Sequence, residues 1–415
     1  MRKSRRSLSR LFVALAAVIG ILSVAIPAGA AIDAATVVPT PNTSPTDTNR
    51  LMSVSCVSSV SCVAVGTSIS SGILQPLIES WDGATWSLQI APSSSPTENN
   101  KLNGVACTSP SSCVAVGAKY SGGNWHALAM SWDGTSWAIQ ASANSSPTED
   151  NTLMSVSCAA ADSCVAVGFY LGTNGYQTIA EAWDGSTWSM QLSANAPPPS
   201  ENFLNGVTCL SVNSCVAVGY HSANNISETL VEVWNGTVWA VQSSANVPAS
   251  NQNTLNSVSC VSASSCFAVG VYLDGGHNRS LFEIWDGSAW SVQTSPVVSV
   301  QFDYTVAVSC VSPSTCVAVG TLSDGGVRNT LVSVWDGSTW SVQTSPNGPG
   351  GGNNFLNGVS CTSSYSCVAV GSANDGTADR TLVLSLTGPA PPVPTTVPSS
   401  STTSGPDPVA PSFTG

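Results

Sequence analysis

Charge is scarce in this chain. Only 8% of its 415 residues are Asp, Glu, Lys or Arg, against about 25% in ordinary soluble domains. Ser, Thr, Asn and Gly therefore carry most of the solvent-facing polarity. Basic residues are the scarcer sign: eleven Lys and Arg stand against 23 Asp and Glu, and Arg2, Lys3, Arg5, Arg6 and Arg10 take five of the eleven. Without residues 1–30, six basic residues face 23 acidic ones, a net charge of −17. A chain so acidic is repelled by phosphate, which excludes nucleic acid and anionic membrane surfaces as partners. Histidine is nearly missing as well. His126, His221 and His277 fall in three different segments, so no metal-ligand cluster or catalytic triad can be assembled from a local motif. No cofactor motif is present either.

What the chain has in abundance is repetition. Fourteen cysteines form seven C-x5-C pairs: Cys56 with Cys62, Cys107 with Cys113, Cys158 with Cys164, Cys209 with Cys215, Cys260 with Cys266, Cys310 with Cys316, and Cys361 with Cys367. They recur every 51 residues, with one interval of 50, and none is left over. A period of this length, rich in Gly, Trp and β-branched residues, means one supersecondary unit copied around an array. The expected fold is all-β: a seven-bladed β-propeller with four antiparallel strands per blade.

The ends divide the chain into three parts. MRKSRRSLSR and the apolar run to Ala28-Gly29-Ala30 read as an export signal, residues 1–30, or as an uncleaved N-terminal anchor. Arg5-Arg6 fits a twin-arginine route, and the long apolar core fits the ordinary secretory one. Residues 31–388 hold the propeller, and residues 389–415 form a Pro/Ser/Thr-rich tail, expected to be a disordered spacer. Either export route ends in an oxidising compartment, secreted or wall-associated, where the paired cysteines become disulfides.

Within a repeat, alternating Val in LNSVSC and CFAVG marks strands A and B, and SLFEIWDG marks strand C. Asp-Gly is a hairpin turn, and the Trp after it opens strand D. Each C-x5-C straddles the A–B turn, so its sulfurs face each other across a hairpin. Zinc or redox chemistry would need other spacings or one special pair. The seventh repeat lacks strand D, but residues 35–56 align without gaps to 86–107. Residues 35–38 are thus expected to supply that strand and close the ring.

Strand B ending in Gly, an aromatic-Asp end to strand C and a Trp opening strand D, as in TCVAVG (315–320) and TLVSVWDGSTW (330–340), resemble kelch repeats. Kelch units, however, end strand B with two glycines. The D-G-x-x-W turn resembles the Asp-box of sialidase-like propellers, one residue shorter. Secreted actinobacterial-type repeat proteins with CVAVG and WDG units are also similar. The resemblance covers residues 35–388 and implies the fold, while kelch-like propellers include both binders and oxidases.

The recurrent residues read as structural. Twelve Trp at strand ends serve inter-blade packing, Asp82 and its equivalents cap the C–D turn, and Glu79, Glu181, Glu232 and Glu283 are hydrogen-bond or ion-pair partners. Variability concentrates between strands B and C. Tyr120, Trp125, His126, Tyr170, Tyr176, Tyr220, His221, Tyr272 and His277 all fall there, with Arg279 and Arg328. On a rigid scaffold such loops carry recognition. The expected function is a monomeric, non-catalytic binding module for carbohydrate or a cell-surface protein. A protein scaffold and a sialidase-like glycoside-acting enzyme are the alternatives, although few arginines are present to hold a carboxylate.

Overall fold

A computed structural model of the chain describes residues 32–389, except 145–148, 198–199, 249, 297–300 and 324. The expected leader and the tail beyond residue 389 lie outside the described residues.

Seven sheets, each of four antiparallel strands in the order A-B-C-D, form the ring. The A strands (Thr48–Ser58, Asn100–Ser109, Asn151–Ala160, Glu201–Ser211, Asn253–Ser262, Phe302–Ser312 and Asn354–Ser363) pack against one another around the axis. The last blade takes its outer strand from the N-terminal segment. Ala34–Val38 pairs antiparallel with Asp379–Thr387, Ala34 opposite Thr387 and Val38 opposite Val383. This is the closure expected from the gapless alignment, and it covers an edge that would otherwise be bare.

One expectation needs correction. The glycine after CVAV does not end strand B, and the variable stretch beyond it is not a loop. In the first blade strand B runs Ser61–Ser70, with Gly66 in its middle, and strand C runs Ile73–Trp81. Only Ser71 and Gly72 turn between them. The reason for the glycine is close approach: a Cβ on Gly66 would stand 2.0 Å from the Arg50 carbonyl oxygen, and its equivalents are as crowded. Across from it, the A strand makes a bulge between Leu51 and Ser53 that recurs in every blade.

Innermost strands leave one edge without a partner sheet, and side chains of the preceding blade satisfy it. The Cys107, Cys209, Cys310 and Cys361 amides donate to Ser55, Ser157, Ser259 and Ser309 Oγ at 2.9–3.0 Å. Cys56 N donates to Ser360 Oγ at 3.0 Å, carrying the pattern across the closure.

All seven cysteine pairs are disulfides, as their spacing implied. Cys56 is bonded to Cys62, Cys107 to Cys113, Cys158 to Cys164 and Cys209 to Cys215. Cys260 is bonded to Cys266, Cys310 to Cys316 and Cys361 to Cys367. Each bridge spans the A–B hairpin with Cα atoms 3.9–4.0 Å apart. The strand B partner (Cys62, Cys113, Cys164, Cys215, Cys266, Cys316, Cys367) is buried in the blade interface, whereas the strand A partner is half-buried. Closing so short a loop contributes about 2 kcal/mol in the chain-entropy model.

The second Trp of each W-D-G-x-x-W motif is buried between blades. Trp239, for example, packs with Val165, Val167 and Ala180 of the preceding blade and donates from Nε1 to Gln191 Oε1 at 2.8 Å. The first Trp rests on its partner ring and donates to the A–B turn, as Trp81 does to the Ser59 carbonyl at 3.1 Å. In the seventh blade Leu386 opposes Ala35 at these positions, and Ile32 joins the core there.

The recurrent glutamates are fully buried at the blade interfaces. Glu181 accepts Ser142 Oγ at 2.8 Å and Ala143 N at 3.1 Å, both from the linker preceding its blade. Glu232 does the same with Ser193 and Ala194, Glu283 accepts Ser244, and Glu79 accepts Thr40. The remaining oxygen of Glu79, Glu232 and Glu283 has no partner among the described residues. In the second blade Met130 replaces the acid, and its linker offers Ala91 and Pro92, neither of which can donate from a side chain.

Burial pushes these four carboxyls up to about 7, opposed by their hydrogen bonds. The unfolded groups titrate at the ordinary carboxylate pKa. Protonation is therefore favoured by the native state, and stability falls as pH rises from about 4.5 to about 7. The penalty is at most about 3 kcal/mol per carboxyl. The melting temperature should thus be higher at pH 5 than at pH 8. Glu232→Gln, which keeps the shape without the charge, should reduce that difference and raise stability at pH 8. Equal melting temperatures for wild type at the two pH values would contradict the assignment.

Candidate functional site

Strand directions set the A–B and C–D turns on one face of the ring and the B–C hairpins and D–A linkers on the other. The first face is uniform. Asp82 Oδ1 accepts the Ala84 and Thr85 amides at 2.8 and 2.7 Å while Gly83 adopts φ of 97°. Asp133, Asp184, Asp286 and Asp336, with Asn235 in the fourth blade, repeat this turn. These hydrogen bonds hold the exposed aspartates below the usual carboxylate range. They cap turns, as their register implied.

The opposite face is where the blades differ. Its linkers are fixed by one buried amide in six of the seven blades: Asn49, Asn100, Asn151, Asn202, Asn253 and Asn354. Asn202 is representative, accepting Ala196 N at 2.9 Å and donating to the Ser200 carbonyl at 3.0 Å. The hairpin arms bond to the same linkers, as Tyr120 N does to the Asn99 carbonyl at 2.7 Å. Nothing in the sequence reading singled out these asparagines, although their fixed place two residues before the Leu of strand A was the available signal.

On this frame the nine candidate residues are strand residues of the B–C hairpins, and they do not form one site. Tyr176 and Tyr220 come together through two rings the sequence reading missed. Phe203 stacks on Tyr220 with centroids 4.8 Å apart and lies 5.1 Å from Phe169 and 5.2 Å from Tyr176. These four half-buried rings bridge the third and fourth blades. Tyr120 and Trp125 oppose each other across the second hairpin at 5.4 Å, and the Lys101 ammonium lies 4.8 Å from the Trp125 ring. Burial lowers the Lys101 pKa. His126 turns the other way, into a polar cleft with Ser94, Glu98, Lys119 and Asn144, of about 470 Å³.

The other candidates are dispersed. Tyr170 and Tyr272 pack against core clusters between blades. His221 faces Glu228 at 3.7 Å, and His277 is exposed at a hairpin tip. Arg328 lies over Phe302 and Phe355 at 5.1 and 5.2 Å. The recurrent glutamates are committed to linkers, so they offer no pair of acids flanking a cleft.

A further cavity, of about 410 Å³, occupies the axis itself. It is ringed by the bulged residue of each A strand: Met52, Asn103, Met154, Asn205, Asn256, Val306 and Asn357. Tyr304 completes its wall, and no charged side chain among the described residues lines it. These positions escaped the sequence reading because a bulge breaks the two-residue alternation that assigns faces.

Arg279 shows how the frame absorbs an exception. The sixth blade has Asp303 where the other six have Asn, and this buried carboxylate accepts Ser280 N at 3.1 Å and Arg279 Nη1 at 3.4 Å. Arg279→Ala should cost about 3 kcal/mol by stranding the acid. Asp303→Asn, which copies the other blades, should recover most of that loss in the double variant. Denaturant unfolding of the three variants checks this, and additive losses would refute the coupling.

No family model matches the chain, and no curated protein does. Among solved structures, YCF48 bound to D1 peptide superposes with a TM-score of 0.51 at 13% identity, covering 87% of this chain and 98% of that one. A polysaccharide lyase of family PL25, an ulvan lyase, gives 0.47 at 9% identity over 87% and 95% of the two chains. Chaetomium thermophilum Sqt1 bound to the N-terminus of ribosomal protein L10 gives 0.45 at 12% over 79% and 83%. At these identities the likeness is one of fold.

Proposed function

We propose that this chain is an exported, non-catalytic binding module that recognises carbohydrate at or outside the cell surface through its B–C hairpin face. The observation that carries the reading is the contrast between two faces of one ring. One repeats the same capped turn blade after blade. The other sets the Phe169–Tyr176–Phe203–Tyr220 stack and the Lys101–Trp125–Tyr120 group on a rigid frame. Half-exposed rings anchored from below are suited to stacking on sugar faces. Seven disulfides belong to an oxidising compartment and agree with export.

A protein partner is the second reading. The four-ring stack bridges two blades and would serve equally as the aromatic centre of a protein interface. The neighbours that bind peptide or protein share only the fold, so they leave this choice to experiment.

Binding of the purified, oxidised mature protein to a glycan panel and to bacterial cell-wall fractions tests the proposal. Trp125→Ala and Tyr176→Ala should each weaken saturable sugar binding by about tenfold, ~1.4 kcal/mol, without lowering the melting temperature. Tyr170→Ala and Tyr272→Ala serve as contrasts, because they should instead lose stability. Retained affinity in both Trp125→Ala and Tyr176→Ala would remove the hairpin face from the reading.

A further inference from the structure

We propose that the axial cavity is a second, selective subsite, and that it takes a neutral mono- or disaccharide. This rests on the reading of the chain as a carbohydrate-recognising module, but it involves none of the residues proposed for the hairpin face.

The bulge ring is the starting point. Asn103, Asn205, Asn256 and Asn357 each donate from Nδ2 to a backbone carbonyl of the next blade, those of Leu153, Leu255, Thr305 and Leu51, at 2.7–2.9 Å. Those bonds fix the orientation of each carboxamide. No hydrogen bond ends on their Oδ1 atoms among the described residues, so four acceptors are held in place around the axis.

Not every edge needs them. Met52, Met154 and Val306 stand at the same position in the other three blades, and the edges those blades face are closed by Ser55, Ser157 and Ser309. The edges that Asn256 and Asn357 face have serine bonds as well, from Ser259 and Ser360. Close approach is provided separately. A Cβ on Gly104, Gly206 or Gly358 would come within 2.9–3.1 Å of the next blade's Ser155, Ser257 or Ser53 Cα.

The chemistry of the wall then selects the ligand. A charged group entering would surrender its hydration with no counter-charge to meet it, since among the described residues no ionisable group but the Tyr304 phenol lines the cavity. A purely apolar ligand would cover four oriented oxygens without donating to them. Neutral hydroxyl-bearing molecules satisfy both conditions. The acceptors approach from four blades spaced around the axis. A pyranose radiates hydroxyls around its ring and can donate in several of these directions, whereas an extended peptide donates in two opposed ones. The Met52 and Met154 thioethers and the Tyr304 ring offer soft surfaces for its C–H faces. At about 410 Å³ the cavity is within the range of small-molecule sites, about 300–1,000 Å³.

The test uses the oxidised mature chain and titration calorimetry. The probes are glucose, galactose, mannose and N-acetylglucosamine, their β1,4-linked disaccharides, and glucuronate as the charged counterpart. Asn256→Met/Asn357→Met is the informative variant, because it installs a residue that two blades already carry at this place and keeps the Ser259 and Ser360 bonds to the same edges. One neutral sugar should bind saturably, and glucuronate should bind at least about tenfold more weakly. The double Met variant should lose about tenfold or more in affinity for that sugar with its melting temperature retained. Undiminished affinity in the double Met variant, or equal affinity for glucuronate, would overturn the channel subsite. Cell-wall binding without any soluble sugar binding would also overturn it and leave the hairpin-face reading standing. No binding to sugars or wall fractions would overturn both.

Discussion

Seven sheets meeting at an axis create a problem that the rest of this molecule is arranged around: each presents a bare inner edge. Unpaired strand edges invite foreign strands, and buried unpaired amides are costly. Here each edge is sealed by its neighbours. Serine hydroxyls accept its N–H groups, and asparagine carboxamides donate to its carbonyls. Because every seal crosses a blade boundary, no blade is complete by itself. The disulfides and tryptophans reinforce units whose relative placement is fixed at the centre.

The outer contacts follow the same rule of mutual dependence. Four blades bury a glutamate on a hydroxyl of the adjoining linker, with a backbone amide behind it at Ser142–Ala143, Ser193–Ala194 and Ser244–Ala245. Where the linker is Ala91–Pro92, the acid has given way to Met130. Asp303 and Arg279 are a second such exchange, a charge in the amide frame matched by a countercharge from the neighbouring blade. In these two places a substitution on one blade is matched on the segment that packs against it.

The sequence was most informative where a residue type answers to a single local constraint. Cysteine spacing marks the hairpins and their disulfides, Asp-Gly marks the capped turns, and the alignment of residues 35–56 with 86–107 marks the closing strand. It misled where one residue type answers to two. Gly66 reads as a strand end but is a point of close approach, so the outer halves of the long B and C strands read as loops. It was silent where faces depend on register. The bulge beside Leu51 turns Met52 and its equivalents toward the axis, and no alternation pattern could place them there. The aromatic stack was half visible. Tyr176 and Tyr220 stand out in variable segments, while Phe203 is hidden in a strand that otherwise repeats.

The closing strand imposes an order of events. Six blades are each built from one continuous stretch of chain, and their disulfides join cysteines only six residues apart. Each can therefore take shape as soon as its own segment emerges. Ala34–Val38 cannot share in this, since its partner, Asp379–Thr387, is the last strand to appear. The first strand made must wait, unpaired, for the last. A chain cut short between the sixth blade and Asp379 would hold six four-stranded blades and still lack a closed ring, leaving open edges at both ends as a handle for quality control.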